Sequence, residues 1–180
     1  GHGVPAALLV NRVHTEFEEL ARSHTSPGKL LTALNNFIIR DFEGTNMYLS
    51  AFCGLIDMKK HELTFTNCGH PAQYLYVKNG SRIRLLTSQD ALLGVMPAEG
   101  HGETQVPLGD NDRIVLFTDG AIEAKNAAAE EFGQERVENY ILEQHGLEPE
   151  RFNAGFIKEL TEFAPDGFND DVFLMTIQMK

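Results

Sequence analysis

The sequence predicts an α+β fold in which helices are layered on antiparallel sheet, and three observations carry the prediction. Apolar residues recur at every third or fourth position near both ends of the chain. Between them lie short runs rich in Phe, Leu, Ile, Thr and Tyr, separated by turn residues. The resulting order of helices, many strands, helices and one closing strand lacks the alternation that builds a parallel sheet.

Over 5–23, Leu8, Leu9, Val13, Phe17 and Leu20 mark one face of an amphipathic helix, with Pro5 in a first-turn position where its missing N–H costs nothing. Ser26 is a candidate N-cap with Pro27 behind it, and Leu30, Leu31, Leu34, Phe37 and Ile38 carry a second helix to about residue 42. After Gly44 the period changes. Runs 47–58 and 61–68, divided by Lys59-Lys60, predict a hairpin. Runs 73–77 and 82–86 predict another, joined through Asn79-Gly80, a pair that tolerates positive φ, and together the four strands predict an antiparallel meander. A loop over 94–102 carries Pro97, and 103–107 and 113–118 add strands around Gly109-Asp110. Ile114, Val115, Leu116 and Phe117 are apolar without alternation, which predicts a central strand covered on both faces. Helices over 132–145 and 149–163 and a strand over 172–179 complete the chain.

The 180 residues carry 26 acidic against 15 basic side chains, a formal charge of −11 that disfavours nucleic acid or an anionic membrane as partner. No apolar run approaches the ~18 residues of a membrane span, and no signal segment opens the chain, so a cytoplasmic location is expected. Cys53 and Cys68 sit in strand-like runs and not in a CxxC pair; this predicts buried free thiols, with no zinc or redox motif.

Two acidic groups stand at strand ends. Phe117-Thr118-Asp119-Gly120 closes the apolar strand, and Gly167-Phe168-Asn169-Asp170-Asp171 opens the last one. A strand terminus holds a carboxylate rigidly, the neighbouring glycine permits close approach, and carboxylates brought together call for a cation, for which magnesium or manganese suits all-oxygen ligation. Taken alone, each motif reads first as a turn, since Asp and Gly favour turns for local reasons.

Taken together and in order, the blocks resemble SpoIIE-type phosphatase domains of the metal-dependent protein phosphatase (PPM) family. Gly1-His2-Gly3-Val4-Pro5-Ala6-Ala7-Leu8-Leu9 is similar to the start of that family's first helix, and Asn67-Cys68-Gly69-His70-Pro71 resembles its Asn-Ala-Gly-His-Pro segment. Leu92-Leu93-Gly94 resembles a later Leu-Gly, Phe117 to Gly120 with Glu123-Ala124 and Phe132-Gly133 the metal-binding strand and following helix, and Asn169-Asp170-Asp171 the final block. The resemblance covers nearly the whole chain. It implies a single domain over 1–180, an antiparallel β-sandwich flanked by helix pairs (αββα), two Mn2+ or Mg2+ ions in a cleft, and hydrolysis of phosphoserine or phosphothreonine by metal-activated water.

Carried onto this sequence, the resemblance makes Asp119 a ligand of one metal and Asp170 of the other. Asp171 supports Asp170 or ligates an additional ion, and Gly120 is a backbone neighbour. His2 is a candidate general acid, with positioning of the first helix as its other role. His70 is expected to hydrogen-bond within its turn, and Asn67 and Thr118 to orient carboxylates. His14, His24, His61, His101 and His145 show no ligand spacing. The family also places a metal-bridging aspartate shortly before Gly-His-Gly, so the resemblance implies that N-terminal strands precede Gly1, after an upstream sensor or receiver domain. The implied substrate is a phosphorylated anti-sigma-factor antagonist. A phosphatase-like module that binds a partner without catalysis is the alternative, and a homodimer paired through an exposed sheet edge is expected.

Overall fold

The computed structural model describes residues 4–45 and 47–180. In chain order its elements are helices α1 (Val4–Ser23) and α2 (Pro27–Asp41), strands β1 (Ala51–Asp57), β2 (Glu62–Cys68), β3 (Gln73–Val77), β4 (Arg82–Leu86), β5 (Thr104–Pro107) and β6 (Arg113–Phe117), helices α3 (Asp119–Ile122), α4 (Gly133–Gln144) and α5 (Pro149–Phe163), and strand β7 (Leu174–Gln178). Every strand pairing is antiparallel. Among the described residues, no helix is long and apolar enough to cross a membrane. Two compact units divide the chain: one runs to His70 and resumes over Ser88–Pro107, and the other comprises Pro71–Thr87 and Leu108–Lys180.

The strands do not form the single meander that their order predicts. The first unit holds a sheet of order β1-β2-β5, and the second a sheet of order β4-β3-β6-β7. The chain leaves β2 at Gly69, whose φ of +67° suits glycine and whose missing side chain admits Leu92; a Cβ there would meet Leu92 Cδ2 at 2.5 Å. Pro71 then withholds a ladder donor, and β5 takes the free edge of β2. The same sorting separates the strands flanking Gly109-Asp110: β5 pairs with β2, whereas β6 pairs with β3 and β7.

Turn chemistry accounts for both hairpins. Between β1 and β2, Asp57 Oδ1 accepts the N–H groups of Lys59 and Lys60 at 2.9 and 3.0 Å, and His61 takes the positive φ. Between β3 and β4 the positive φ values fall on Gly80 and Ser81, not on Asn79: the four residues Lys78 to Ser81 separate the paired Val77 and Arg82, and Ser81 N–H donates to the Lys78 carbonyl.

In the first unit, the Ser26 hydroxyl caps α2 by accepting the Lys29 N–H at 3.2 Å, with Pro27 at the first helical position. The helix buries Leu30, Leu31, Leu34, Phe37 and Ile38 in a core completed by Cys68 and Leu93. In the second unit, α4 and α5 present Val137, Tyr140, Ile141, Phe152, Phe156 and Leu160 to a core that includes Tyr74, Tyr76, Val115 and Phe117 of the sheet. Such a core, at about 2–5 kcal/mol per large side chain, holds the ends of β6 and β7 in place for the chemistry they carry.

Candidate functional site

Strand β6 is interior to its sheet, and Ile114, Val115 and Phe117 are buried, as its unbroken apolar sequence requires. Its end is fixed by a residue that sequence reasoning passed over. Gln73, fully buried at the start of β3, accepts the Phe117 N–H at 2.7 Å and donates Nε2 to the Phe117 carbonyl at 3.2 Å and the Pro71 carbonyl at 2.9 Å. A side-chain amide thus does at the last rung what a backbone ladder does elsewhere. An apolar–polar pattern does not reveal it, since Gln73 reads simply as the first polar residue of a strand.

Beyond Phe117 the chain turns at Thr118, the N-cap of the four-residue α3, and Asp119 emerges exposed at its first position. The Thr118 hydroxyl donates to the Asp171 carbonyl at 2.8 Å and accepts the Phe173 N–H at 2.9 Å, while Thr118 N–H donates to the Phe173 carbonyl at 3.2 Å. Thr118 therefore joins the two acidic segments through backbone, not through a carboxylate as the sequence suggests. Gly120 makes the approach possible: a Cβ there would lie 2.6 Å from the Asp171 carbonyl oxygen and 3.2 Å from that of Asp170. Residues 51 positions apart are brought side by side for a steric reason.

Asp119 Oδ1 accepts its neighbour's N–H, from Gly120, at 3.0 Å, and Asp170 Oδ1 accepts that of Asp171 at 2.7 Å. Each carboxylate is thereby oriented and keeps a second oxygen for a ligand. Asp119, Asp170 and Asp171 are all exposed. An open cavity of about 170 Å3 beside them is lined by Gly120, Glu123, Ala124, Lys125, Asn169 and Asp170. Lys125 is paired with Glu131 at 3.6 Å, so the cavity carries a cation as well as carboxylates.

The donor set is entirely oxygen, rigid and open to water, which fits a hard divalent cation that keeps part of its hydration. Asp119, Asp170 and Asp171 do not bring their oxygens within 4.8 Å of one another as a set of three; among the described residues the set that does so is Cys68, Asp90 and His101. His2, the candidate general acid, lies outside the described residues. His70 Nδ1 is 3.0 Å from the Ser50 hydroxyl and its N–H donates to Asn67 Oδ1 at 2.9 Å, the local turn role expected for it. Asn67 accordingly organises the Gly69-His70 turn, and its own N–H donates to Gln89.

The fold defines a class. The chain aligns with the SiaA PP2C domain of Pseudomonas aeruginosa over 100% of its own length and 72% of that chain, with TM-score 0.86 and 19% identity. It aligns with the structure of RsbX in complex with magnesium over 100% and 77%, with TM-score 0.70 and 14% identity. The fold is that of the PP2C-type, or PPM, phosphatase domains, α+β with antiparallel sheets and flanking helices. The family model for stage II sporulation protein E (SpoIIE) matches residues 1–180, and the chain belongs to that family. Among curated relatives, the phosphoserine phosphatase RsbU of Bacillus subtilis (strain 168) is 26% identical over 148 residues, 82% of this chain and 41% of that protein. The chain spans less than half the length of the curated relatives it matches.

Proposed function

We propose that this chain is the catalytic module of a protein serine/threonine phosphatase that requires Mg2+ or Mn2+, with its two units making one domain. The observation that supports this most is the docking of Gly120, next to Asp119, on the Asp170-Asp171 backbone, beside a cavity that Gly120 and Asp170 both line. In this reading Asp119 and Asp170 each hold one of two divalent ions, and Asp171 steadies Asp170 or takes an additional ion. When bound, such ions supply an activated water and offset charge on the phosphoryl oxygens. The chain's own residues orient and position: Gln73 fixes the β6 terminus, Thr118 locks the acidic segments together, and Lys125 offers an ammonium to a phosphate entering the cavity. His2 is proposed as the proton donor to the leaving seryl oxygen.

The substrate we propose is a phosphorylated anti-sigma-factor antagonist, met in the cytoplasm, with a sensor or receiver domain of the whole protein governing the encounter. RsbU, whose name describes a phosphoserine phosphatase, supports the reaction class. The acidic charge of −11 disfavours a nucleic acid partner. A second copy is proposed to pair along β1, an edge strand among the described residues. A partner-binding module without catalysis is the second reading, favoured by the failure of the three carboxylates to converge.

Turnover of a phosphoserine protein with added Mn2+ separates the two. Activity that falls by about a thousandfold or more in Asp119→Asn and Asp170→Asn supports the enzyme. Metal-independent activity, or inactivity of the whole protein with Mn2+ and Mg2+ while it still binds its phosphorylated partner, overturns it in favour of the binding module.

A further inference from the structure

Cys68, Asp90 and His101 lie far apart in sequence but converge within the first unit. Cys68 is the last residue of β2 and is fully buried. Asp90 meets it through an isolated backbone bridge, and His101 arrives from the loop preceding β5. Their sulfur, a carboxylate oxygen and a ring nitrogen all lie within 4.8 Å of one another, with His101 Nδ1 3.5 Å from Asp90 Oδ2.

The imidazole of His101 supplies an independent observation. Its side chain is only 6% exposed, yet neither ring nitrogen has a hydrogen-bond partner. Folded proteins pair nearly all buried polar side-chain atoms, so a buried ring with no hydrogen bond at either nitrogen, facing a thiol and a carboxylate 3.5 Å from its Nδ1, is arranged for something that binds there. The surrounding backbone is well satisfied. His101 N–H donates to Thr32 Oγ1 at 2.9 Å, the Thr66 hydroxyl to the Gly102 carbonyl at 2.8 Å, and Gly102 N–H to Asp90 Oδ2 at 2.9 Å. This last bond fixes the carboxylate in the way that outer partners orient metal ligands.

We propose that Cys68, Asp90 and His101 form a zinc-binding site. One sulfur, one nitrogen and one oxygen donor match the borderline-soft character of Zn2+ and exclude preference for Mg2+ or Ca2+. Bonds of about 2.0 Å to nitrogen and oxygen in a tetrahedral site put those ligand atoms about 3.3 Å apart, close to the separation of His101 and Asp90. Asp90, 26% exposed at its side chain, leaves water a route to the fourth position. Cys68 is fully buried, so its thiol proton is inaccessible and the metal-free sulfur is no nucleophile despite its histidine and carboxylate neighbours. Zinc replaces that proton and ties the end of β2 to the loop segments bearing Asp90 and His101. The site's donors differ in kind from the all-oxygen set around Asp119, and the proposal does not depend on the phosphatase reading.

The test titrates Co2+, as the spectroscopic substitute for Zn2+, into the reduced protein and follows the near-ultraviolet thiolate-to-cobalt charge-transfer absorption. Oxygen ligands alone give no such band, so occupancy around Asp119 does not imitate it. The expected result is a saturable band, displaced by Zn2+, present in Cys53→Ser and Asp119→Asn and lost in Cys68→Ser. His101→Gln weakens Zn2+ binding by roughly a hundredfold or more, as loss of a direct ligand should at least match loss of an outer partner. Far-ultraviolet circular dichroism checks the folding of each variant; if Cys68→Ser does not fold, the native protein and His101→Gln decide the matter. Absence of the band in the folded native protein, its persistence at native affinity in His101→Gln, or its loss in Cys53→Ser overturns the proposal.

Discussion

At Gly120 a hydrogen atom stands where any side chain would enter the carbonyl of Asp171, because the backbone of one acidic segment is the wall of the other. Gly120→Ala is therefore expected to cost about 1–3 kcal/mol and to lower turnover at constant Mn2+, since backbone cannot yield as a flexible side chain can. Thermal melts and steady-state kinetics of the same preparation check it; an unchanged melting temperature with native activity would remove the steric account. Asp57 illustrates a charge effect. The N–H groups of Lys60 and then Lys59 hold its carboxyl below the usual carboxylate range, more than offsetting the opposing effect of desolvation. A carboxyl depressed on folding stabilises the native state above its unfolded pKa, and that contribution disappears as pH falls through the lower folded value. The native protein should thus lose melting temperature more steeply than Asp57→Asn below about pH 4. Parallel profiles for the two proteins would contradict the assignment. Asp119 and Asp170 were legible as candidates because each abuts a strand end in the sequence. Gln73, His101 and Asp90 were not, because their partners lie on other elements.

Among the elements, β6 depends on β3 for more than ladder bonds. Gln73→Leu leaves the Phe117 N–H and carbonyl without the buried amide, and is expected to destabilise by about 1–3 kcal/mol and to reduce kcat more than affinity for substrate, because Asp119 follows directly on the loosened terminus. Denaturant titration with kinetics tests this, and a kcat equal to the native value would confine Gln73 to stability. Helix α2 begins with a cap that is also a tether: the Ser26 hydroxyl accepts from Lys29 and donates to Glu103, whose Oε1 also accepts the Gly28 N–H at 2.8 Å. Ser26→Ala should cost about 1 kcal/mol or more in chemical denaturation, and a smaller loss in Ser26→Asn, which can still cap, would separate the cap from the tether. Helices α1, α2, α4 and α5 were readable because apolar period is local, and the start of α2 because its Ser26 cap is; α3, four residues long, shows no period. The division of strands between two sheets was not, because each hairpin is locally satisfied in either arrangement.

For the whole molecule, net charge and free sheet edges oppose one another. Strand β1 leaves an edge unpaired among the described residues and exposes Leu55, while a charge of −11 on each copy resists association. The dimer fraction measured by light scattering is expected to rise as salt screens that repulsion and to vanish in Leu55→Lys; a monomer at every ionic strength would dispose of edge pairing.

The sequence by itself determined the class of elements, their order, the burial of β6 and the family to which the chain belongs, since periodicity, turn residues and ordered motifs are all written along the chain. Tertiary structure alone decided which strands share a sheet, that Gly120 packs on the backbone of Asp170 and Asp171, that Gln73 holds the end of the strand leading to Asp119, and that Cys68, Asp90 and His101 meet. The physical reason is the same in each case: a contact between distant residues is selected by packing and hydrogen-bond satisfaction in three dimensions, and leaves no spacing in the sequence from which to read it.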